Sequence, residues 1–418
     1  MKITRPKLAP AIAALALAAG LVAGVAQARP DTAAAPAASE VSGNLVFAHW
    51  ASSPVETDLL KQVLTNFEKK YPKINVRRRA LDPYPDSMLA QFAARKPPDV
   101  FYVDSNVAPD WIKQGVLEPL DTFINRYHFR TKPFYPRLLN AFRSGGKTYG
   151  FPKDWSPLAM QTNNEMLSKA GVRAPTNWTT LRSVATRLRS SGAVAGGRPI
   201  CLSPGWDRML AFIYQNNGAF LSGNKAVVNS PANHVTANFY IGLIQSGLAG
   251  TPAQLGVGWC GEALGKEKSA IVFEGNWLLP YMAEQFPSVR FTNNKMVKNK
   301  SEGNLAFTVS YSIAKDSKQK AAAWTLLTYL TGREGMRTWT SKGLALPSRS
   351  DVKPVAGRSA FLAAAPSARP WQFAPGFAKV MTVAGNELTA TLEGKQTVDV
   401  MLRKIQDEAA RTLRRGGR

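Results

Sequence analysis

Between residues 44 and 103 two hydrophobic patterns take turns, and that alternation limits the fold more than any other feature. Residues 44–50 (NLVFAHW) form a short apolar run ending in His49 and Trp50. Ser53, Pro54, Val55 and Glu56 follow as a capping box with proline at the first helical position. Leu60, Val63, Leu64 and Phe67 then recur at helical period until Tyr71 and Pro72. Residues 74–76 start a second strand, 88–94 make a short helix, and 99–103 (DVFYV) make a third strand. Strand, helix, strand, helix, strand with short turns predicts a parallel sheet covered by helices. In such sheets ligands meet the carboxyl ends of the strands, where Trp50 and Asp104 stand. A surface helix from Trp111 is expected to run into a Leu-Glu-Pro-Leu turn ending at Leu120.

Residues 149–157 (YGFPKDWSP) cannot be helical. Pro152 fixes its own φ, removes a donor and biases Phe151 toward an extended conformation. The stretch delivers Asp154, an acceptor, next to Trp155, a flat apolar face with one donor. That pair suits a polyhydroxylated ring; a buried turn with a core tryptophan accounts for it equally well. The alternation then resumes. Strands are expected at 158–161, 200–202, 270–273 and 305–313, and helices at 164–170, 176–190, 205–215, 235–246, 262–268, 277–285, 319–329 and 397–413. A chain of 418 residues exceeds one ordinary core, and a second α/β unit is the economical reading.

The first 28 residues read as a cleaved secretory signal: Lys2, Arg5 and Lys7, then apolar residues 9–25, then Ala26-Gln27-Ala28. Residues 29–42 read as a disordered lead-in. The only cysteines, Cys201 and Cys260, lie far from the cleavage site, which leaves no thiol there for a lipid anchor. In an oxidising compartment they suit one disulfide, two buried thiols being the alternative. The net charge is +25, about +22 once the signal is removed, but the basic residues are dispersed and no nucleic-acid motif accompanies them.

Walker loop, GxGxxG, nucleophile elbow and HExxH are all missing from the sequence. Two cysteines and three scattered histidines give no zinc spacing. The absence of reaction motifs beside abundant tryptophan at loop positions favours binding over catalysis, and no cofactor is expected.

Taken in order, several segments carry a resemblance: FEKKYPKINV (67–76), PPDVFYVDS (97–105), GVLEPLD (115–121), YGFPKDWSPLAMQTN (149–163), SAIVFEGNW (269–277), YLTGREGM (329–336), GLALPSR (343–349) and LEGKQTVD (392–399). Together they resemble family-one bacterial extracellular solute-binding proteins, the sugar-binding components of ABC importers, similar to maltose-binding proteins. The resemblance implies an α/β, two-lobed periplasmic-binding-protein fold. Each lobe is a mixed or parallel sheet flanked by helices, and the hinge is crossed three times, near 152–154, 294–303 and 317–322. It implies an N-lobe of 43–152 and 297–320 and a C-lobe of 153–296 and 321–418. The cleft would close on a ligand and dock on a membrane permease. The protein would be periplasmic, soluble, monomeric and without nucleic acid.

The same resemblance nominates ligand contacts. Asp104 and Asp154 would accept hydroxyl hydrogen bonds. Trp50, Trp155, Trp277 and Trp371 would supply stacking faces, and Asn276 and Tyr311 a polar edge. Each has a rival. Trp277 and Trp371 could be core, Trp206 with Asp207 either a helix cap or a cleft contact, and Arg349 either a cleft residue or the partner of Asp351. His49 could point inward in place of Trp50. Relatives often carry Gly-Pro-Trp where Gly275-Asn276-Trp277 stands. A mono- or oligosaccharide is the expected ligand. An anionic or non-sugar solute (sugar phosphate, glycerol phosphodiester, polyamine) is the alternative, and a carbohydrate-active enzyme using Asp104 and Asp154 the third reading.

Overall fold

The computed structural model describes residues 40–50 and 53–416; the expected signal, and the lead-in up to residue 39, lie outside the described residues. The first sheet is built from β1 (Gly43–His49), β2 (Ile74–Ala80) and β3 (Val100–Asp104), with α1 (Pro54–Lys70) between the first two strands. β1 pairs parallel with both β2 and β3. Helix α1 starts where the sequence predicts: the Ser53 hydroxyl accepts from the Glu56 N–H, and Leu59, Leu60, Val63, Leu64 and Phe67 are buried. The surface helix expected from Trp111 starts earlier and is shorter, Ala108–Lys113. Its Trp111 is buried edge-on against Phe92, and Gly115 ends the turn at φ +70°.

β4 (Phe151–Pro157) is the last strand before the chain leaves this sheet. The second sheet takes β5 (Ala159–Asn163), β6 (Ile200–Cys201), β7 (Ala249–Gly250), β8 (Ile271–Glu274) and β9 (Phe291–Asn294), in the spatial order β7-β6-β8-β5-β9. Among its helices are α2 (Trp206–Gln215), α3 (Cys260–Gly265) and α4 (Leu278–Gln285). β10 (Asn304–Ile313) then returns to the first sheet. It pairs antiparallel with β3 on one edge and with β4 on the other. α5 (Lys320–Thr331), α6 (Arg333–Thr340), β11 (Ala368–Pro370), α7 (Phe377–Leu392) and α8 (Val398–Gly416) complete the chain. β11 joins the start of β10 in parallel.

Two large hydrophobic cores result, one per lobe. Ala322, Trp324, Leu327, Met336 and Trp339 of α5 and α6 belong to the first core. Residues 321–340 therefore pack on the lobe opposite to the one expected for 321–418, because the α5 stripe finds Phe123, Phe129 and Phe151 as ring partners for Trp324. Phe377, Val380, Ala384, Leu388, Met401 and Ile405 of α7 and α8 lie in the second core.

The passage from β4 to β5 is a single residue, Leu158. It is gripped from β10: the Asn304 Nδ2 donates to the Leu158 carbonyl at 2.8 Å, and its Oδ1 accepts from the Leu158 N–H at 3.2 Å. Asn304 is 1% exposed, so no water substitutes for either bond. Cys201, ending β6, and Cys260, opening α3, form a disulfide with Cα atoms 5.4 Å apart. We expect Asn304→Leu to lose about 2–4 kcal/mol of stability, because two buried backbone groups are left unpartnered. Denaturant unfolding checks it, and an unchanged midpoint would remove Asn304 from this role.

Candidate functional site

The central strand β10 sets the geometry. Val309 is in register with Asp104 of β3 on one side and with Asp154 of β4 on the other. Two strand spacings separate the backbones of the two acids, about 10 Å. Pro152 pairs with Ser310 and Asp154 with Val309, so Lys153 is the extra residue of a β-bulge. A bulge re-aims side chains that simple alternation would send elsewhere.

Lys153 is buried and is the hub of the first lobe's side of the site. Its ammonium donates to Asp154 Oδ2 at 2.7 Å and lies 3.9 Å from Glu56 Oε1. It sits 4.0 Å from the centre of the Trp339 ring and 4.7 Å from that of Tyr102. Trp339 Nε1 donates to the same Asp154 oxygen at 2.6 Å. Asp154 is thus a compensated carboxylate, held from inside the protein. Asp104 differs. Its Oδ1 accepts from the Asn106 N–H at 3.2 Å and the Ser105 hydroxyl at 3.4 Å. Burial, and to a smaller degree the Asp154 charge, push its carboxyl from 3.8 to about 6. His49 is buried: its Nδ1 lies 2.7 Å from the Trp50 carbonyl, and burial lowers its affinity for a proton. Trp50 is partly exposed and edge-on to Tyr84 and Tyr102.

The second lobe contributes Glu274, at the carboxyl end of β8, and Arg208, in the first turn of α2. Arg208 donates to Glu274 Oε2 at 2.7 Å and to Asp207 Oδ2 at 2.6 Å. Trp277 Nε1 donates to the same Glu274 oxygen at 3.0 Å. Burial pushes the Glu274 carboxyl up, against the opposing pull of Arg208. The guanidinium lies 5.4 Å from the ring centres of both Trp277 and Phe307. Phe307 is on β10, so the two lobes meet at this ion pair. Gly275 permits the turn: a Cβ there would collide with the Trp277 ring and the Ser156 hydroxyl.

Of the ten residues nominated from sequence, Asp104, Trp277 and Trp50 lie at or near strand ends, and Asp154 lies in the middle of β4, across β10 from Asp104. Trp371 is nearby through its backbone, its carbonyl accepting from the Ser105 hydroxyl at 2.9 Å, while its ring packs edge-on to Phe373. The others are interior. Trp155 is buried, its Nε1 donating to the Pro347 carbonyl, because alternation along β4 turns it away from Asp154. Tyr311 is packed between Phe47 and Tyr102. Trp206 donates to the Ala384 carbonyl. Arg349 makes a two-point contact with Asp351 at 2.8 and 2.7 Å. Asn276 is fully buried, its backbone and side-chain N–H groups both reaching the Ser156 hydroxyl. Lys153, Arg208, Glu274, Phe307 and Trp339 were not nominated. Only Glu274, directly before the glycine turn, carries a local signal. Among the described residues no cluster of three or more His, Cys, Asp or Glu forms a metal site.

Carboxylates and indole edges at the strand ends of two joined α/β lobes define a two-lobed binding protein. Residues 53–337 match the family described as bacterial extracellular solute-binding protein, and the chain belongs to that family. It is similar to an ABC substrate-binding protein of Listeria monocytogenes solved with cycloalternan, at TM-score 0.79 and 20% identity, covering 89% of this chain and 99% of that one. It is similar to the GacH receptor of Streptomyces glaucescens, solved with acarbose, at TM-score 0.79 and 20% identity over 90% and 99% of the two chains. It is also similar to UgpB of Mycobacterium tuberculosis, solved with glycerophosphocholine, at TM-score 0.77 and 18% identity over 90% and 100%.

Two outcomes follow from the charges. Lys153→Met leaves buried acids without their cation and is expected to cost about 3–5 kcal/mol at pH 7. Urea unfolding at pH 7 measures it, and an unchanged midpoint would remove Lys153 from this role. Asp104 binds its proton more tightly folded than unfolded, so its contribution to stability falls as pH rises from about 4 to about 6. Asp104→Asn should remove that slope and stabilise the protein above pH 6 by on the order of 2–3 kcal/mol. Melting curves across pH 4–8 that coincide for both proteins would refute it.

Proposed function

We propose that the chain is the substrate-binding component of an ABC importer and takes a mono- or oligosaccharide between its lobes. One observation carries this reading: Glu274, Arg208 and Trp277 of the second lobe converge with Phe307 on the strand that also orders Asp104 and Asp154. Carboxylates accept hydroxyl protons and indoles cover the C–H faces of a ring. Each cation in the site is already matched by acids, which disfavours an anionic ligand. The ligands of the cycloalternan- and acarbose-bound neighbours support the same class.

In this reading the site binds and releases without chemistry, and the closed form hands its ligand to a membrane permease. The lobes hinge where the chain passes from one to the other: at Leu158, over residues 295–303 and, in place of the crossing expected near 317–322, over 371–376, because residues 322–339 pack in the first core and Phe377 onward in the second. The protein acts as a monomer, periplasmic and without a lipid anchor. Among the described residues no helix is long and apolar enough to cross a membrane.

A thermal-shift screen against neutral sugars, sugar phosphates, glycerophosphodiesters and polyamines tests it. Saturation at about 100 times Kd adds roughly 2.7 kcal/mol to native stability. We expect a shift with a neutral sugar series. Trp277→Ala and Asp104→Ala should each weaken that sugar by about 1–3 kcal/mol in calorimetry. A shift confined to phosphodiesters or amines would replace the sugar with that solute.

A further inference from the structure

The second lobe carries a cavity of about 360 Å³ that borders the site described above and shares only Arg208 and Glu274 with it. Ser203, Pro204, Arg208, Val257, Trp259 and Glu274 line it. It opens at the carboxyl ends of β6 and β8, the position at which α/β sheets take ligands. Its volume lies within the about 300–1,000 Å³ of small-molecule sites.

The cavity has a floor and a wall of contrasting character. The floor is the Arg208–Glu274 pair, the same pair that holds Trp277 on its other side. Glu274 Oε2 takes both of those donors, and among the described residues no donor reaches Oε1. Arg208 spends one N–H on Asp207 and one on Glu274, out of five. The floor thus keeps both an acceptor and donors in reserve. The wall is Trp259, only partly buried. Its ring lies over Gly261, where a Cβ would collide with it, and edge-on to Tyr281 at 4.9 Å. The disulfide fixes the mouth: Cys260 directly follows Trp259, and Cys201 is two residues before Ser203 on the opposite side. An indole held flat by covalent and packing constraints loses little entropy when a ring stacks on it.

Resting on the sugar-binding reading above, we propose that this cavity is a distinct ring subsite, with Trp259 as its stacking face and the Arg208–Glu274 pair as its hydroxyl partner. Because that pair borders both Trp277 and the cavity, one ligand spans them. The protein therefore selects a saccharide of at least two rings.

Calorimetry on the purified protein with gluco-, galacto-, manno- and xylo-saccharides of one to four units tests it. Wild type is expected to bind one series, and more tightly from two units upward. Trp259→Ala should lower affinity for the longer members by about 10- to 100-fold and leave the one-ring member within about twofold. Trp259→Phe should restore most of the loss. The double variant C201S/C260S, which keeps Trp259 but frees its loop, should also weaken only the longer members. Longer members bound by Trp259→Ala as by wild type would overturn the subsite and leave the sugar reading intact. An equal loss at every length would merge Trp259 into the main site and overturn it as well. Failure of wild type to bind any saccharide would refute the sugar reading itself, and the subsite with it.

Discussion

Asn304 holding Leu158 is the constraint on which the rest of the structure depends. A single residue carries the chain from one sheet to the other, and a peptide unit in that position has no strand neighbour to satisfy it. The Asn304 amide serves both its N–H and its C=O. Because Asn304 also opens β10, the grip fixes where β10 starts beside β4. That start sets the register, and the register sets Val309 opposite both Asp104 and Asp154. The spacing of the two acids is therefore decided some five residues away, by an uncharged side chain that touches neither.

The electrostatics of the site run against those of the chain. A protein of net charge +25 gathers acids at this site and matches Lys153 and Arg208 to them. Lys153 is spent internally, between Asp154, Glu56 and two rings. Arg208 is spent between Asp207 and Glu274. A site whose charges are paired this way offers hydrogen-bonding capacity without a net field strong enough to demand a charged ligand. Asp104 is the exception: burial raises its proton affinity, and a backbone N–H and a neighbouring hydroxyl only partly offset that.

Much of the fold was legible in the sequence, because strand–helix alternation, prolines and caps are local signals. The first sheet, α1 and the extended stretch at Pro152 follow from patterns within ten or so residues. The site was legible where a candidate stood at a strand end, as Asp104 does, or beside a glycine turn, as Trp277 does. It was not legible where geometry is set at long range. Asp154 and Trp155 look side by side in sequence, yet alternation along β4 sends one to Lys153 and the other into a core. Lys153 itself is invisible without the bulge, which depends on β10, some 155 residues later. The α5 and α6 helices declare their apolar stripes but not the lobe those stripes face.

Trp259 marks the sharpest case of that limit. In sequence it is one tryptophan among ten, in a loop with no turn signature that distinguishes it. What gives it a role is a set of contacts made by residues distant from one another: a disulfide to β6, a glycine beneath the ring, and an ion pair across the cavity. The ion pair also has to be shared. Were Arg208 bound to Asp207 alone, Glu274 would lie buried without a counter-charge, and burial would push its carboxyl up unopposed by that cation. The guanidinium that lies against Trp277 and Phe307, where the lobes join, is thus the same group that opposes the upward push of burial on the Glu274 carboxyl.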